Sequence, residues 1–450
     1  MTARRVAVSV QVRLAARCAA ASTLNRLHLR RRQKDETYIF KVVASLVARR
    51  DPSTTLELTG VMKAKVFGQH DEATLRQIEN CIDAGGERGI LCADDHKGYA
   101  QPIGGVVAYK DKISLSGVGF DIACGNLAIL TDAKGSDVAP KVKSIMDDVV
   151  RDISFGIGRK AKTRVDHELF DDEAWRIAPL SGLKEMARDQ LGTVGGGNHY
   201  VDIFADEQDR VWVGVHFGSR GLGHKTATHF LNAAGGKDGM DVPPTVVPVN
   251  SEIGSHYLTG MGLAGKYAYA GREAVARHVV REILGAKILD EVHNHHNFAW
   301  REKHNGEDLW VVRKGATPAF PGQRGFVGGS MGDDAVIIEG VDSGESREAL
   351  YSTVHGAGRV MSRTAAKGKF ERVGKKRIRR DGLVRHDEML RWVAERGVEL
   401  RGGDVDEAPQ AYRRLPDVLA AHAGTIRVLH TLRPLGVAMA GRDIVDPYKD

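Results

Sequence analysis

Five side chains of the kinds that bind divalent metals recur in glycine- or asparagine-rich settings along this chain. Asp121 and Cys124 share the stretch GVGFDIACGN. His199 follows three glycines and Asn198, His216 ends an apolar stretch before FGSRG, and His296 stands between His295 and Asn297. Carboxylate, thiolate and imidazole are all ligands of transition metals. A tight turn could put Asp121 and Cys124 on one side, and a thiolate within reach of a metal is deprotonated outright. The same residues admit a plainer reading, a buried structural cysteine beside a turn aspartate and histidines satisfied as ordinary polar groups. A mixed oxygen, nitrogen and sulfur set would tolerate Mn, Zn, Fe or Co. A further histidine, His355 in STVHGAGR, lies in a loop that by itself reads as a turn.

These residues need a scaffold. Apolar spacing predicts helices over 71–84, 137–153, 183–191, 256–284, 387–396 and 417–430. Apolar runs bounded by turn residues predict strands within 89–109 and 112–130, over 211–215 ending at His216, and over 309–312 and 335–338. There is no internal repeat. The mixture is α+β or α/β, and motifs spread from Asp94 to Arg359 favour one interwoven catalytic domain over separable modules.

Composition bounds the partners. Glycine is abundant, 52 of 450 residues, and concentrates around the histidine motifs, as loops that approach a ligand closely require. The net charge of +7 invites a nucleic-acid reading. Residues 1–34, however, hold nine of the 65 Lys and Arg and no acid, which leaves 56 basic against 58 acidic residues in the rest. Residues 1–50 are therefore expected to be a basic, disordered extension outside the fold, with the catalytic domain over 51–441 and a short tail over 442–450. Any nucleic-acid surface must come from local clustering, and residues 359–380 carry ten Lys or Arg against Glu371 alone. Four cysteines without paired spacing fit a reducing, cytoplasmic setting, and no run approaches the ~18 apolar residues of a membrane span.

Taken together, DDHKGYAQPIGGV (94–106), GVGFDIACG, LGTVGGGNH (191–199), VHFGSRGLG (215–223), HHNFAW, RKGATPAFPG (313–322), GGSMG (328–332) and STVHGAGRVMSR (352–363) resemble the RtcB family of GTP-dependent RNA ligases. The resemblance runs from about Leu56 to Gly441. It implies an α+β fold, a single large mixed-sheet domain with long glycine-rich active-site loops. It implies joining of an RNA 2′,3′-cyclic phosphate or 3′-phosphate end to a 5′-hydroxyl end, with GTP and two Mn²⁺ as cofactors, in tRNA splicing or RNA repair. His355 corresponds to the histidine that is guanylylated. Asp121, Cys124, His199, His216 and His296 correspond to the metal ligands. The nucleotide pocket corresponds to Asn198, His199, Tyr200, Val201, Asp202, His296, Asn297, Gly328, Gly329, Ser330, Met331, His355, Gly356, Ala357 and Gly358. A monomer served by an archease-type activator is the matching expectation for partners, with Arg359, Arg363, Lys367 and Lys369 placed to meet RNA phosphate.

The chain departs from the family pattern in places. Met439 and Ala440 stand where a nucleotide-contacting lysine is usual, Gly328 replaces a proline, Ala335 replaces a loop serine, and Asp202 replaces a longer Glu. Two other functions remain compatible with the residues: a metal-dependent RNA end-processing phosphoesterase, which would not need His355, and a non-catalytic RNA-binding paralogue.

Overall fold

The structure, a computed structural model, describes residues 55–58, 62–373 and 376–442, with side chains over 64–369 and 380–442. The expected extension over 1–50 and most of the tail, 443–450, lie outside the described residues. The fold is mixed α+β, built on two large sheets.

The first sheet runs in the order Thr55–Leu58, Met62–Val66, Arg88–His96, Ile103–Tyr109, Glu307–Lys314, Asn297–His304. The second runs Ile288–His295, Gly125–Lys134, Arg210–Phe217, Tyr200–Asp206, Ile426–Met439, Ala335–Gly340, Arg324–Val327, with Glu399–Arg401 pairing parallel to the long strand Ile426–Met439. Its central strands are apolar on both faces. The Arg210–Phe217 strand is buried along all but its first residue, as a strand covered on two sides must be. On one face Leu127, Val201, Val213 and Val215 pack against Val275, Val279 and Val280. Full burial of such a side chain contributes about 1.5–3 kcal/mol.

Val275 belongs to the long helix Glu252–His278, which starts where the Ser251 hydroxyl accepts a hydrogen bond from the Gly254 amide at 3.1 Å. The helix contacts strands 210–217 and 125–134. Its Tyr257, Met261 and Ala264 also join the core of the first sheet, with Ile78 and Ile82 of the helix Glu72–Asp83. The two sheets therefore share one helix as a common floor. Among the described residues no helix is long and apolar enough to cross a membrane.

Most predicted elements are present. The helix expected over 417–430 is not: a short helix, Leu415–Ala420, gives way to the strand Ile426–Met439. Gly424 interrupts the helical spacing, and Ile426, Val428 and Thr431 beyond it are β-branched residues that pair with the Ala335–Gly340 strand. The helix expected over 137–153 is divided by Pro140 into Gly135–Val138, a 3₁₀ turn Ala139–Lys141, and Val142–Asp152.

Candidate functional site

The candidate site lies where the two sheets meet. His296 is the single residue between the last strand position of the second sheet, His295, and the first of its neighbour in the first sheet, Asn297. It is buried, and its amide donates to the Cys124 carbonyl at 2.8 Å. Cys124 ends the turn before strand 125–134. That turn is shaped by Ala123 at φ +60°, a left-handed conformation unusual for alanine, with its amide held by the Asn297 carbonyl at 2.7 Å. His216 sits near the end of its strand, opposite Asn126, and His199 precedes strand 200–206.

These elements bring together all five residues expected as metal ligands. Cys124, His216 and His296 form one triad and Asp121, Cys124 and His199 another, each with donor atoms within 4.8 Å of one another. Cys124 is common to both. The Sγ atom lies 3.3 Å from His216 Nε2 and 3.6 Å from His199 Nε2. His216 Nε2 and His296 Nε2 are 3.3 Å apart, and His199 Nε2 is 2.9 Å from Asp121 Oδ2.

The chemistry of the donors fits a metal. His216 Nδ1 is 2.9 Å from the Asn198 carbonyl oxygen, which can only accept, so Nδ1 carries the proton and the Nε2 lone pair faces Cys124 and His296. Burial, with the charge of His199 adding to it, pushes the His216 pKa down to about 3; burial holds His296 well below the usual histidine value. Both are thus neutral imidazoles, the form a metal requires. Burial works against ionisation of Asp121, but the hydrogen bond and charge of His199, with Arg220 beyond, bring its pKa down to about 2. Burial and the Asp121 charge push the Cys124 thiol up, so a cation must be present for a thiolate to form here.

His355 stands beside this cluster, its ring centroid 4.9 Å from that of His296. It follows the short strand Ser352–Val354, which pairs with Ala316–Pro318. Its Nδ1 is 2.6 Å from Asp94 Oδ2, and its amide donates to the same oxygen at 2.9 Å. Asp94 is fully buried on strand 88–96, within the stretch where register with strand 103–109 shifts between Leu91 and His96. Such irregularities re-aim side chains at sites. Burial opposes the Asp94 charge, but His355, by charge and by hydrogen bonds, holds its pKa below the ordinary value. An ionised carboxylate only accepts, so His355 Nδ1 carries a proton, and in the neutral ring the lone pair is on Nε2. The loop is fixed against Asp94: Gly358 has φ +73°, and a Cβ there would run into the Asp94 carbonyl. Asp94 falls within the motif DDHKGYAQPIGGV, but nothing in the sequence gives it a role. A buried acid 261 residues from its partner leaves no local signal beyond the paired aspartates of DDHKG.

A cavity of about 490 Å³ opens over these groups. Of the residues expected at the nucleotide, Asn198, Tyr200, Asp202, His296, Asn297, Gly328–Met331 and His355–Gly358 line it. The two glycine loops touch through a bridge between Gly328 and Gly356. Val201 does not line the cavity, because its side chain alternates into the core of the second sheet. His199 belongs to the donor cluster rather than the cavity wall. The Asn297 side chain is engaged, accepting from the Gly315 amide at 2.7 Å and donating to the Asp121 carbonyl at 3.2 Å. Asp202 faces the cavity with one buried oxygen lacking a hydrogen-bond partner, and burial pushes its carboxyl well above the ordinary range. Met439, at the position where a lysine was expected, lines the cavity; Lys449 lies outside the described residues.

Part of the basic run beside His355 is paired within the chain. Arg359 and Arg363 both bind the buried Glu407, at 3.1 and 2.9 Å, and Lys367 pairs with Asp404. Burial resists the Glu407 charge, but Arg363 and Arg359 bring its pKa down to about 2. These cations are thus partly neutralised at the cavity mouth. The backbones of Gly368–Val373 and Lys376–Asp381, which carry Lys369, Arg372, Lys376, Arg377, Arg379 and Arg380, pair antiparallel.

Comparison with known proteins agrees with this geometry. The profile of the tRNA-splicing ligase RtcB family matches residues 77–180 and 176–440. A tRNA-splicing ligase RtcB of Thermococcus kodakarensis is 30% identical, over 82% of this chain and 91% of its own length. One from Archaeoglobus fulgidus is 32% identical over 78% and 87%. An RNA-splicing ligase RtcB of Escherichia coli is 29% identical over 76% and 87%. The order of the motifs, the shared cysteine between two donor triads and these matches lead to one assignment: the chain belongs to the RtcB family of tRNA-splicing ligases.

Proposed function

We propose that this protein is an RNA ligase that joins a 3′-phosphate or 2′,3′-cyclic phosphate end to a 5′-hydroxyl end through a guanylylated His355, using GTP and Mn²⁺ in tRNA splicing or RNA repair. The observation that carries this reading is the pairing of His355 Nδ1 with the buried Asp94, which leaves Nε2 as a free nucleophile at the cavity floor beside the donor cluster. A phosphoesterase or a non-catalytic paralogue would have no use for a histidine so prepared.

In this reading His355 Nε2 attacks the α-phosphorus of GTP, forming a P–N bond as pyrophosphate leaves. Asp94 stabilises the imidazolium that forms, as a buried carboxylate does for a catalytic histidine. An RNA 3′-phosphate oxygen then attacks the histidine-bound phosphorus and displaces His355, giving an RNA 3′-end activated by GMP. The 5′-hydroxyl attacks the 3′-phosphorus, the phosphodiester forms and GMP leaves. A cyclic phosphate is first opened by water to the 3′-phosphate. Asp121, Cys124, His199, His216 and His296 would hold two Mn²⁺, which neutralise phosphate charge and activate hydroxyl or water. The Gly328–Met331 and His355–Gly358 loops line the nucleotide's side of the cavity, where glycine lets backbone amides come close. Three buried cysteines without a disulfide among the described residues suit a cytoplasmic enzyme.

The test is adduct formation. Purified protein with [α-³²P]GTP and Mn²⁺ should acquire acid-labile label that His355→Ala does not. Joining of a cyclic-phosphate RNA to a 5′-hydroxyl RNA should require GTP. Label retained by His355→Ala, or RNA end-processing that proceeds without GTP, would sink the ligase reading.

A further inference from the structure

Arg272, on the helix Glu252–His278, is fully buried behind the donor cluster and does not line the cavity. Among the described residues no carboxylate pairs with it at ion-pair distance, in contrast to the equally buried Arg313, whose guanidinium is matched by Glu302 at 2.6 and 3.0 Å. An unpaired buried cation opposes folding, and an apolar side chain of similar volume would pack there more favourably. What it does instead is donate. Nη1 bonds the Ala123 carbonyl at 3.0 Å and the Phe217 carbonyl at 2.6 Å, Nη2 bonds His295 Nδ1 at 2.9 Å, and Nε bonds His293 Nε2 at 2.8 Å.

The pattern of these partners is the point. Ala123 precedes Cys124, Phe217 follows His216, and His295 precedes His296. One planar group thus grips the residue next to each member of the Cys124–His216–His296 triad. The three segments come from a turn, a strand end and a strand junction far apart in sequence; strand pairing sets Gly125 opposite both His295 and Phe217, and Arg272 ties the backbones and side chains where that pairing ends. A guanidinium presents its N–H groups in a rigid plane, so it can set three backbones at fixed spacing; an ammonium cannot. Ala123 needs such support, since its left-handed backbone is unfavourable for a residue with a Cβ.

We propose that Arg272 is a positioning residue whose guanidinium sets the spacing of Cys124, His216 and His296 and thereby the metal affinity of that half of the centre. This rests on the metal site assigned above. The test uses the full chain, stripped of metal and titrated with cobalt(II), with the thiolate-to-cobalt charge-transfer band as readout. Arg272→Lys should weaken cobalt binding at the thiolate site by about tenfold or more and shift the band. Arg313→Lys, an equally buried arginine in the first sheet, should titrate as wild type. If Arg272→Lys does not fold, His293→Leu decides: it removes the Nε partner three residues from the nearest donor, and should weaken cobalt binding in the same sense. A wild-type titration in a folded Arg272→Lys, an unchanged His293→Leu where that variant decides, or equal weakening in Arg313→Lys overturns the inference. A wild-type protein without a thiolate band overturns the metal site itself, and this inference with it.

Discussion

His355 Nδ1 lies 2.6 Å from Asp94 Oδ2, and that oxygen also receives the amides of His355 and Gly356 at 2.9 and 3.3 Å. Three donors on one buried oxygen define both the ring's orientation and its tautomer. Asp94→Asn keeps the shape, and its amide oxygen must take the place of Oδ2 to accept the two backbone amides, so the ring proton stays on Nδ1 while the charge that stabilises the imidazolium is lost. Adduct formation should fall by about ten- to a hundredfold, the loss of a hydrogen bond to a charged group worth about 1.5–3 kcal/mol, as followed by single-turnover labelling with GTP. The variant should also be less stable, with a pH dependence of fixed sign. The folded pKa of Asp94 is held below its ordinary value of 3.8, so its contribution is present above that value and lost as pH falls through the lower, folded value. The melting-temperature gap between wild type and Asp94→Asn should therefore narrow as pH falls below about 4; a gap that widens on acidification would contradict this. The five candidate donors could be picked out in the sequence by residue type and by the glycine and asparagine beside them, and the structure brings them together, whereas His355 and the cavity residues were expected only through the family resemblance. Asp94, Glu407 and Arg272 were not legible, because each acts on partners remote in sequence and its role exists only after folding.

Cys124 and His296 are delivered by two adjacent strands of the second sheet, Gly125–Lys134 and Ile288–His295, which pair with Gly125 opposite His295. The strands approach so closely there that a Cβ on Gly125 would run into the Asn294 carbonyl and lie 2.8 Å from His295 Cα. Gly125→Ala must push the strand ends apart, and overpacking of this sort costs about 1–3 kcal/mol. Because the displaced ends carry the donors, metal affinity should fall with stability, whereas Gly182→Ala in the helix Leu180–Gln190, with nothing within 4 Å of its Cβ, should stabilise slightly and leave metal binding alone. Isothermal titration of both variants with Mn²⁺ separates the effects; equal affinities would show that strand spacing does not govern the site. At this scale the sequence was readable where one periodicity held. The apolar spacing of Ile78, Cys81 and Ile82 identified the helix Glu72–Asp83. It misled over 417–430, where Val418 and Leu419 fit a helix but the residues after Gly424 form a half-buried strand paired with Ala335–Gly340. Strand partners far along the chain decided that segment, and a single-sequence period cannot see them.

The whole molecule places its chemistry on a seam. Asp94 belongs to a strand of the first sheet, Cys124 and His216 flank strands of the second, and His296 is the link from one sheet to the other. The helix Glu252–His278 underlies both cores. All five donors flank strands of the second sheet, and His296 is also the residue from which the first sheet continues, so an ion held by Cys124, His216 and His296 would fasten the point where the two sheets join. A ligand that binds only the folded form stabilises it by about 2.7 kcal/mol at one hundred times its dissociation constant. Manganese should accordingly raise the melting temperature of the chelator-treated protein, and it should do so by moving one cooperative transition, since the seam must open for either sheet to unfold. GTP should add a further increase only when manganese is present, because its phosphates would approach the acidic and sulfur ligands of an otherwise uncompensated site. His355→Ala should keep the manganese shift and lose the covalent label. Differential scanning calorimetry of the metal-free, manganese-loaded and manganese–GTP forms would show this directly. Two separate transitions, only one of which responds to manganese, would mean that the metal stabilises one sheet and that the seam is not the structural unit on which catalysis depends.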